Sequence, residues 1–232
     1  MSTPATNTLG AIMIKAAWVK MGGKFDPAQF HTATALVYDN PDEQHGVKAA
    51  CSLEQVGLVG FHIAHKTDAE PQWIWSTFEH AANVPTQNEQ RSLSAYNFYD
   101  ASCTDCTVNQ PPARPWNPAT PFTKPSQIER VIPITDDTRL LNASFQQALT
   151  AAAPNSVWAN YELVSTQWPT DAKNPTDPTG VPAPSFLANT TLETYIQGDI
   201  KQTSSSCMAC HNNATDTNGQ FSDFTYLLQR AQ

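Results

Sequence analysis

The sequence predicts an α+β, β-rich fold: an antiparallel sheet or sandwich core, long proline-rich loops and a C-terminal helical segment. Three observations carry this expectation. Stretches rich in Val, Ile, Trp and Phe recur at strand length, as in VGLVGFHIAH and WIWSTFEH. The 18 prolines crowd into segments where regular pairing is forbidden. A single stretch, DDTRLLNASFQQALTAAA, combines good helix formers with a cap and a stop.

The elements follow in order. AIMIKAAWVKM (11–21) reads as a first strand. DPAQFHTATALVYD (26–39) opens with Asp26 as N-cap and Pro27 at N1, and is either helical or a loop followed by a strand at ATALVY. CSLEQVGLVGFHIAHKT (51–67) and WIWSTFEH (73–80), separated by the turn-like DAEPQ, make a hairpin. Between Asn97 and Ser126, Pro111, Pro112, Pro115, Pro118, Pro121 and Pro125 imply a long surface excursion. Residues 136–153 form a helix with an Asp cap, closed by Pro154, and SVWANYELVSTQW (156–168) returns to strand. DAKNPTDPTGVPAPS (171–185) is a second proline-rich loop. TLETYIQGDIKQTSSSCMACHNNA reads as a helix running into a cysteine pair, and DFTYLLQRA as a short closing helix. No repeat or clear linker interrupts residues 1–232, which read as a single domain.

Composition narrows the function classes. The formal charge of −8 argues against nucleic acid and anionic membrane surfaces. No apolar run approaches the roughly eighteen residues that span a bilayer. Forty per cent hydrophobic residues suffice for a real core.

The informative motif is Cys207-Met208-Ala209-Cys210-His211, which matches the attachment signature of c-type haem. Two thiols three positions apart reach the two vinyl groups on one edge of a porphyrin. The next residue then lies where its imidazole binds iron. Chance would supply only about 0.003 such matches from this composition. The chemical rival is a zinc site drawing Cys103 and Cys106 together with Cys207 and Cys210, but the two pairs are far apart in sequence and His211 would have no role. Cys103 and Cys106 lack a following His and read as a local disulfide, with Cys51 as the alternative partner of either. Haem c is attached outside the cytoplasm in bacteria, so the motif implies an exported, periplasmic protein whose leader is absent from MSTPATNTLGAIMIK, either trimmed or left behind with the rest of a longer chain from which this domain is cut.

With His211 as proximal ligand, a sixth iron ligand must come from upstream, because no Met or His follows His211. Met13 and Met21 are the thioether candidates. Among the imidazoles, His31 and His45 sit in polar, loop-like surroundings. On a strand His62 and His65 face opposite sides; Gly60 and Ala64 share the His62 face and leave room there for a flat ring. His80 ends a strand whose same-face neighbours Ile74, Ser76 and Phe78 form an apolar wall. His62 and His80 are therefore the favoured candidates for the haem pocket. Trp18, Trp73, Trp75, Trp158 and Trp168 read as core, able also to wall the haem, and Glu79 is a weak candidate proton donor.

Several stretches together, GAIMIKAAW, GLVGFHIAHKT, WIWSTFEHAANVP, LANTTLETYIQ, CMACHNNA and DFTYLLQRA, resemble a group of exported bacterial cytochrome c-like proteins with one C-terminal C-x-x-C-H motif and no well-defined activity. The resemblance implies one covalent haem c attached through Cys207 and Cys210, with His211 as the proximal ligand of its iron. It supplies no substrate. The function expected is single-electron transfer between redox partner proteins. The alternatives are a haem c enzyme, such as a peroxidase-like or small-molecule oxidoreductase, and a ligand-binding haem sensor with an open distal site.

Overall fold

β3 (Ala50–His65) is the longest strand and the axis of the molecule in the computed structural model, which describes residues 10–39, 48–70, 72–90, 95–111, 127–170, 181–197 and 206–227. Around it β1 (Ile12–Lys20), β2 (Thr32–Asp39), β4 (Ile74–His80), β5 (Tyr161–Pro169) and β6 (Pro182–Ala183) complete a six-stranded sheet, antiparallel throughout. The order is β1-β3-β4-β5-β6. Val56 and Gly57 pair with both β1 and β2, so these two strands lie on opposite edges of β3 and β2 runs in line with β4. The expected β-rich character and the β3–β4 hairpin are as the sequence indicates. A second sheet, as in a sandwich, is not found among the described residues.

Alternation along the strands decides what each face carries. On one face, Met13, Ala64, Trp75 and Gln167 form a row across β1, β3, β4 and β5. Lys15, His62, Thr77 and Ser165 form the next row, and Ala17, Gly60 and Glu79 the one beyond. Residues 189–193, Met208 and Phe224 cover this face. The opposite face carries the stacked pair Phe61 and Phe78, with Tyr161 and Trp158 against Phe61.

α1 (Asp136–Ala152) is capped by Thr135, whose hydroxyl accepts the Thr138 N–H; Asp136 and Asp137 lie inside the first turn rather than serving as the cap. None of its side chains is buried. The helix docks by polar groups instead. Asn142 donates to the Leu163 carbonyl and accepts the Leu163 N–H, both at 2.8 Å, and Gln146 donates to the Tyr161 carbonyl at 3.0 Å. These amides occupy the outward-facing backbone groups of β5 where no strand among the described residues pairs with it.

Several boundaries differ from expectation for identifiable reasons. Asp26 does cap a turn, a 3-10 segment over Pro27–Gln29, and the strand follows it. Residues 157–160 form another 3-10 turn, so β5 starts at Tyr161. In the second proline-rich loop, Pro182 and Ala183 pair on the sheet edge, where proline is tolerated; residues 171–180 lie outside the described residues, as do Pro112, Pro115, Pro118, Pro121 and Pro125 of the first loop. The long helix expected before the cysteine pair is not present over 191–197. Asn189 Oδ1 instead accepts the Thr191 and Leu192 N–H groups, and this local turn competes with helix. Residues 198–205 lie outside the described part, and helix resumes only as α2 (Cys207–His211). The closing helix is likewise absent over 223–227. Asp223 and Phe224 have φ of 52° and 63°, a left-handed pair no α-helix contains.

Candidate functional site

α2 is a single turn, and three anchors set its orientation. Ser206 caps it by accepting the Ala209 N–H. Gln167 Oε1, fully buried at the end of the first row, accepts both Ser206 Oγ at 3.1 Å and the Met208 N–H at 3.0 Å. Gln167 Nε2 donates to the Pro184 carbonyl, which fixes the amide's direction. Met208 then drives into a cluster of Ala64, Trp73, Trp75 and Phe224. Cys207 packs beside this cluster and against Ile134, Val164 and Leu187. One turn places Cys207 and Cys210 on the same side of the helix. Both are half-buried free thiols.

His211 closes the turn. Its Nδ1 donates to the Phe224 carbonyl at 2.7 Å, a bond that defines the tautomer because a carbonyl only accepts. Nε2 then carries the lone pair, and none of the described hydrogen bonds reaches it. The ring rests 4.6 Å from the ring of Trp75 and 5.2 Å from that of Tyr226, whose hydroxyl donates to the Cys210 carbonyl. Burial pushes the imidazole below its ordinary value, so it is neutral at pH 7. A neutral ring with one nitrogen tied down and the other bare is what a metal-ligating histidine requires.

Strain supports this geometry. Asp223 and Phe224 turn through the left-handed region to aim the Phe224 carbonyl at His211, and Trp73 has φ of 101°. The strained residues hold one another: Trp73 Nε1 donates to the Asp223 carbonyl at 3.1 Å, and Lys66 pairs with the Asp223 carboxylate while lying over the Trp73 ring.

A second cluster lies in the adjacent row. His62 Nε2 bonds Glu193 Oε1 at 3.0 Å, and Lys15 Nζ is 3.8 Å from the same oxygen. The other oxygen of Glu193 accepts the Asn189 N–H. Burial opposes ionisation of Glu193, but the His62 bond, the Asn189 N–H and Lys15 together hold its carboxyl below the usual range. His62 Nδ1 is buried with no partner among the described residues, as is Trp75 Nε1. Lys15, His62 and Glu193 lie within electrostatic reach of His211, and burial, with Glu193 reinforcing it, pushes the Cys207 thiol well up.

The remaining candidates lie elsewhere or play other parts. His80 is buried with both nitrogens engaged, Nε2 with the Gln29 carbonyl and Nδ1 with the Ala82 N–H, and its ring stacks on Phe30; it is a core residue tying β4 to the Pro27–Gln29 turn. His65 faces away from α2, and His31 is held between Trp158 and Trp18 rather than free at the surface. His45 lies outside the described residues. Met21 packs over Gly57, whereas Met13 touches the Trp73–Trp75–Met208–Phe224 cluster and its sulfur accepts Thr225 Oγ1 at 3.6 Å. Gly60 leaves no room for a foreign ring. A Cβ there would lie 2.3 Å from Thr191 Oγ1 and 2.8 Å from Asn189 Oδ1, so the glycine admits the chain's own loop. Glu79 is fully buried and pairs with Arg130 at 3.1 Å, a structural ion pair capped by the Thr190 N–H. Of the five tryptophans read as core, Trp73 and Trp75 are buried, while Trp18, Trp158 and Trp168 are partly exposed.

Cys103 and Cys106 form a disulfide, and Cys51 is free and exposed. The disulfide uses up the thiolates that a Cys₄ zinc set would need. Glu193, Gln167, Asn189 and Phe224 escaped the sequence reading. Only Gln167, a polar residue at an inward strand position, carried a signal that could have found it. No family model matches the chain, and comparison with curated proteins and with solved structures gives no match.

Proposed function

We propose that the chain is a periplasmic monohaem c-type cytochrome that passes single electrons between redox partners. Haem c would be held by thioethers from Cys207 and Cys210, with His211 as proximal ligand. The observation that carries the reading is the His211–Phe224 hydrogen bond. It leaves a neutral imidazole with a bare Nε2 one position after two unpaired thiols on the same side of one helical turn. When bound, haem supplies a one-electron ferric/ferrous couple. The chain's own residues do the positioning: Gln167 and Ser206 orient the turn, and the Phe224 carbonyl sets the tautomer and raises the basicity of the ligand. Trp75 and Tyr226 flank the imidazole.

Two further features support the reading. Burial keeps the Cys207 thiol protonated, which disfavours a thiol–disulfide catalyst built on the same pair. The Cys103–Cys106 disulfide suits an oxidising compartment.

Expression with the c-type maturation machinery tests the proposal. The expected product is coloured, carries the mass of one haem, gives a reversible one-electron wave, and loses covalent haem in Cys207→Ser and Cys210→Ser. Colourless protein of unmodified mass would overturn it.

A further inference from the structure

We propose that the outer flank of α1 is the surface on which the redox partner docks, and that this partner presents an apolar patch bordered by basic side chains. The inference rests on the electron-transfer reading above and deepens it by giving the partner's chemistry.

α1 is an amphipathic helix turned inside out. Its amides Asn142 and Gln146 point at the sheet and bond β5. Leu141, Phe145 and Leu149, four residues apart, form a stripe down its flank and are 46%, 64% and 36% exposed. Leu140 adds a side chain 70% exposed at the same end as Leu141. These four side chains bare on the order of 400 Å² of apolar surface, a patch size that marks interaction sites on monomers. Matched by an equal area on a partner, it stays below the roughly 1,200 Å² of a lasting interface and within the range of brief electron-transfer encounters.

Charge selects the partner. From Leu140 to Ala152 the chain carries no charged residue. Asp136 and Asp137 lie exposed in the first turn, and Arg139 beside them has its charge answered by both oxygens of Glu89 at 2.8 Å. This acidic end, on a chain of formal charge −8, steers a basic partner toward the stripe. A second copy lying antiparallel along α1 would instead bring its own Asp136 and Asp137 to the negative C-terminal end of the helix. Position agrees with an electron-transfer role. Ile134, the residue before the cap Thr135, is buried with Val164 and Leu187 in the cluster on which Cys207 packs. The acidic end of α1 therefore adjoins the attachment turn, and a partner seated there has a short path to it.

The test measures electron exchange by stopped flow between full-length, haem-loaded protein and two probes: a small lysine-rich cytochrome c, and hexaammineruthenium(III), which needs no docking surface. Phe145→Ala should slow exchange with the basic cytochrome roughly tenfold, the loss expected for an interface residue of hot-spot rank, and leave exchange with the ruthenium complex unchanged. Replacing Asp136 and Asp137 together by Asn should slow the same reaction and flatten its fall with rising salt. Equal rates for native protein and Phe145→Ala with the basic cytochrome, or no salt dependence in the native reaction, would overturn the inference. So would two other results. A native dimer in sedimentation that Phe145→Ala dissociates would assign the stripe to a second copy, and a melting temperature many degrees lower in Phe145→Ala would show that the chain itself covers it. Exchange with neither probe would remove the haem reading, whereas exchange with the ruthenium complex alone would leave that reading standing and remove only the docking surface.

Discussion

His211 Nδ1 lies 2.7 Å from the carbonyl of Phe224, a residue held in the left-handed region at φ 63°. The acceptor that fixes the imidazole is thus a backbone group in a conformation costing on the order of 1–3 kcal/mol, and side-chain burial retains it. Phe224→Ala removes that burial and should destabilise the chain by about 3–5 kcal/mol in chemical denaturation. If haem binds as proposed, the same change shifts the reduction potential, which a mutation remote from the ligand would not do.

Gln167 predicts a second effect. Its side chain serves three partners from a fully buried position, so Gln167→Leu strands Ser206 Oγ, the Met208 N–H and the Pro184 carbonyl. A loss of about 2–4 kcal/mol is expected, since each unmet buried group costs about 1–3 kcal/mol and relaxation recovers part of it. Limited proteolysis should cut faster around α2 in this variant.

Gly60→Ala places a methyl group against Thr191 and Asn189 and should cost about 1–3 kcal/mol. A stability equal to native would show that the loop has room to retreat, and with it Glu193.

The cysteines should separate by alkylation in haem-free protein at pH 8. Cys51, free and exposed, reacts first. Cys207 and Cys210, both half-buried, lag, Cys207 the more because burial holds its thiol protonated, and Cys103 and Cys106 react only after reduction. Intact-mass spectra over time distinguish the three classes.

Burial depresses His80 below its ordinary value of 6.5. The unfolded chain then binds the extra proton first as pH falls, so the stability due to neutral His80 is present above about pH 6.5 and is lost as pH drops through the folded value. His211 in the haem-free protein acts in the same direction. The melting temperature should fall between pH 7 and pH 5.5, and His80→Gln should flatten part of that slope.

The strands and α1 were legible because periodicity and capping are local signals. β3 announces itself in VGLVGFHIAH, and Thr135 displaces Asp136 as the cap by one position only. Cys207, Cys210 and His211 were legible because their spacing is chemistry on one helical turn. His62 could be assigned to a face but not given a partner, since Glu193 is 131 residues away and TLETYIQ reads as a helix start. It is not one because Asn189 and Glu193 spend their side chains on the turn and the sheet instead. His80 looked equivalent to His62 in sequence. Only tertiary packing, the Gln29 carbonyl and the Phe30 ring, tells them apart.

Asn142 and Gln146 close the outer border of β5 with two side-chain amides where most sheets would use another strand. Self-association is thus guarded by a pair of residues whose removal exposes few apolar atoms. Asn142→Ala would uncover a ladder ready to recruit a second molecule, and its damage would surface as concentration-dependent aggregates before any marked drop in heat resistance.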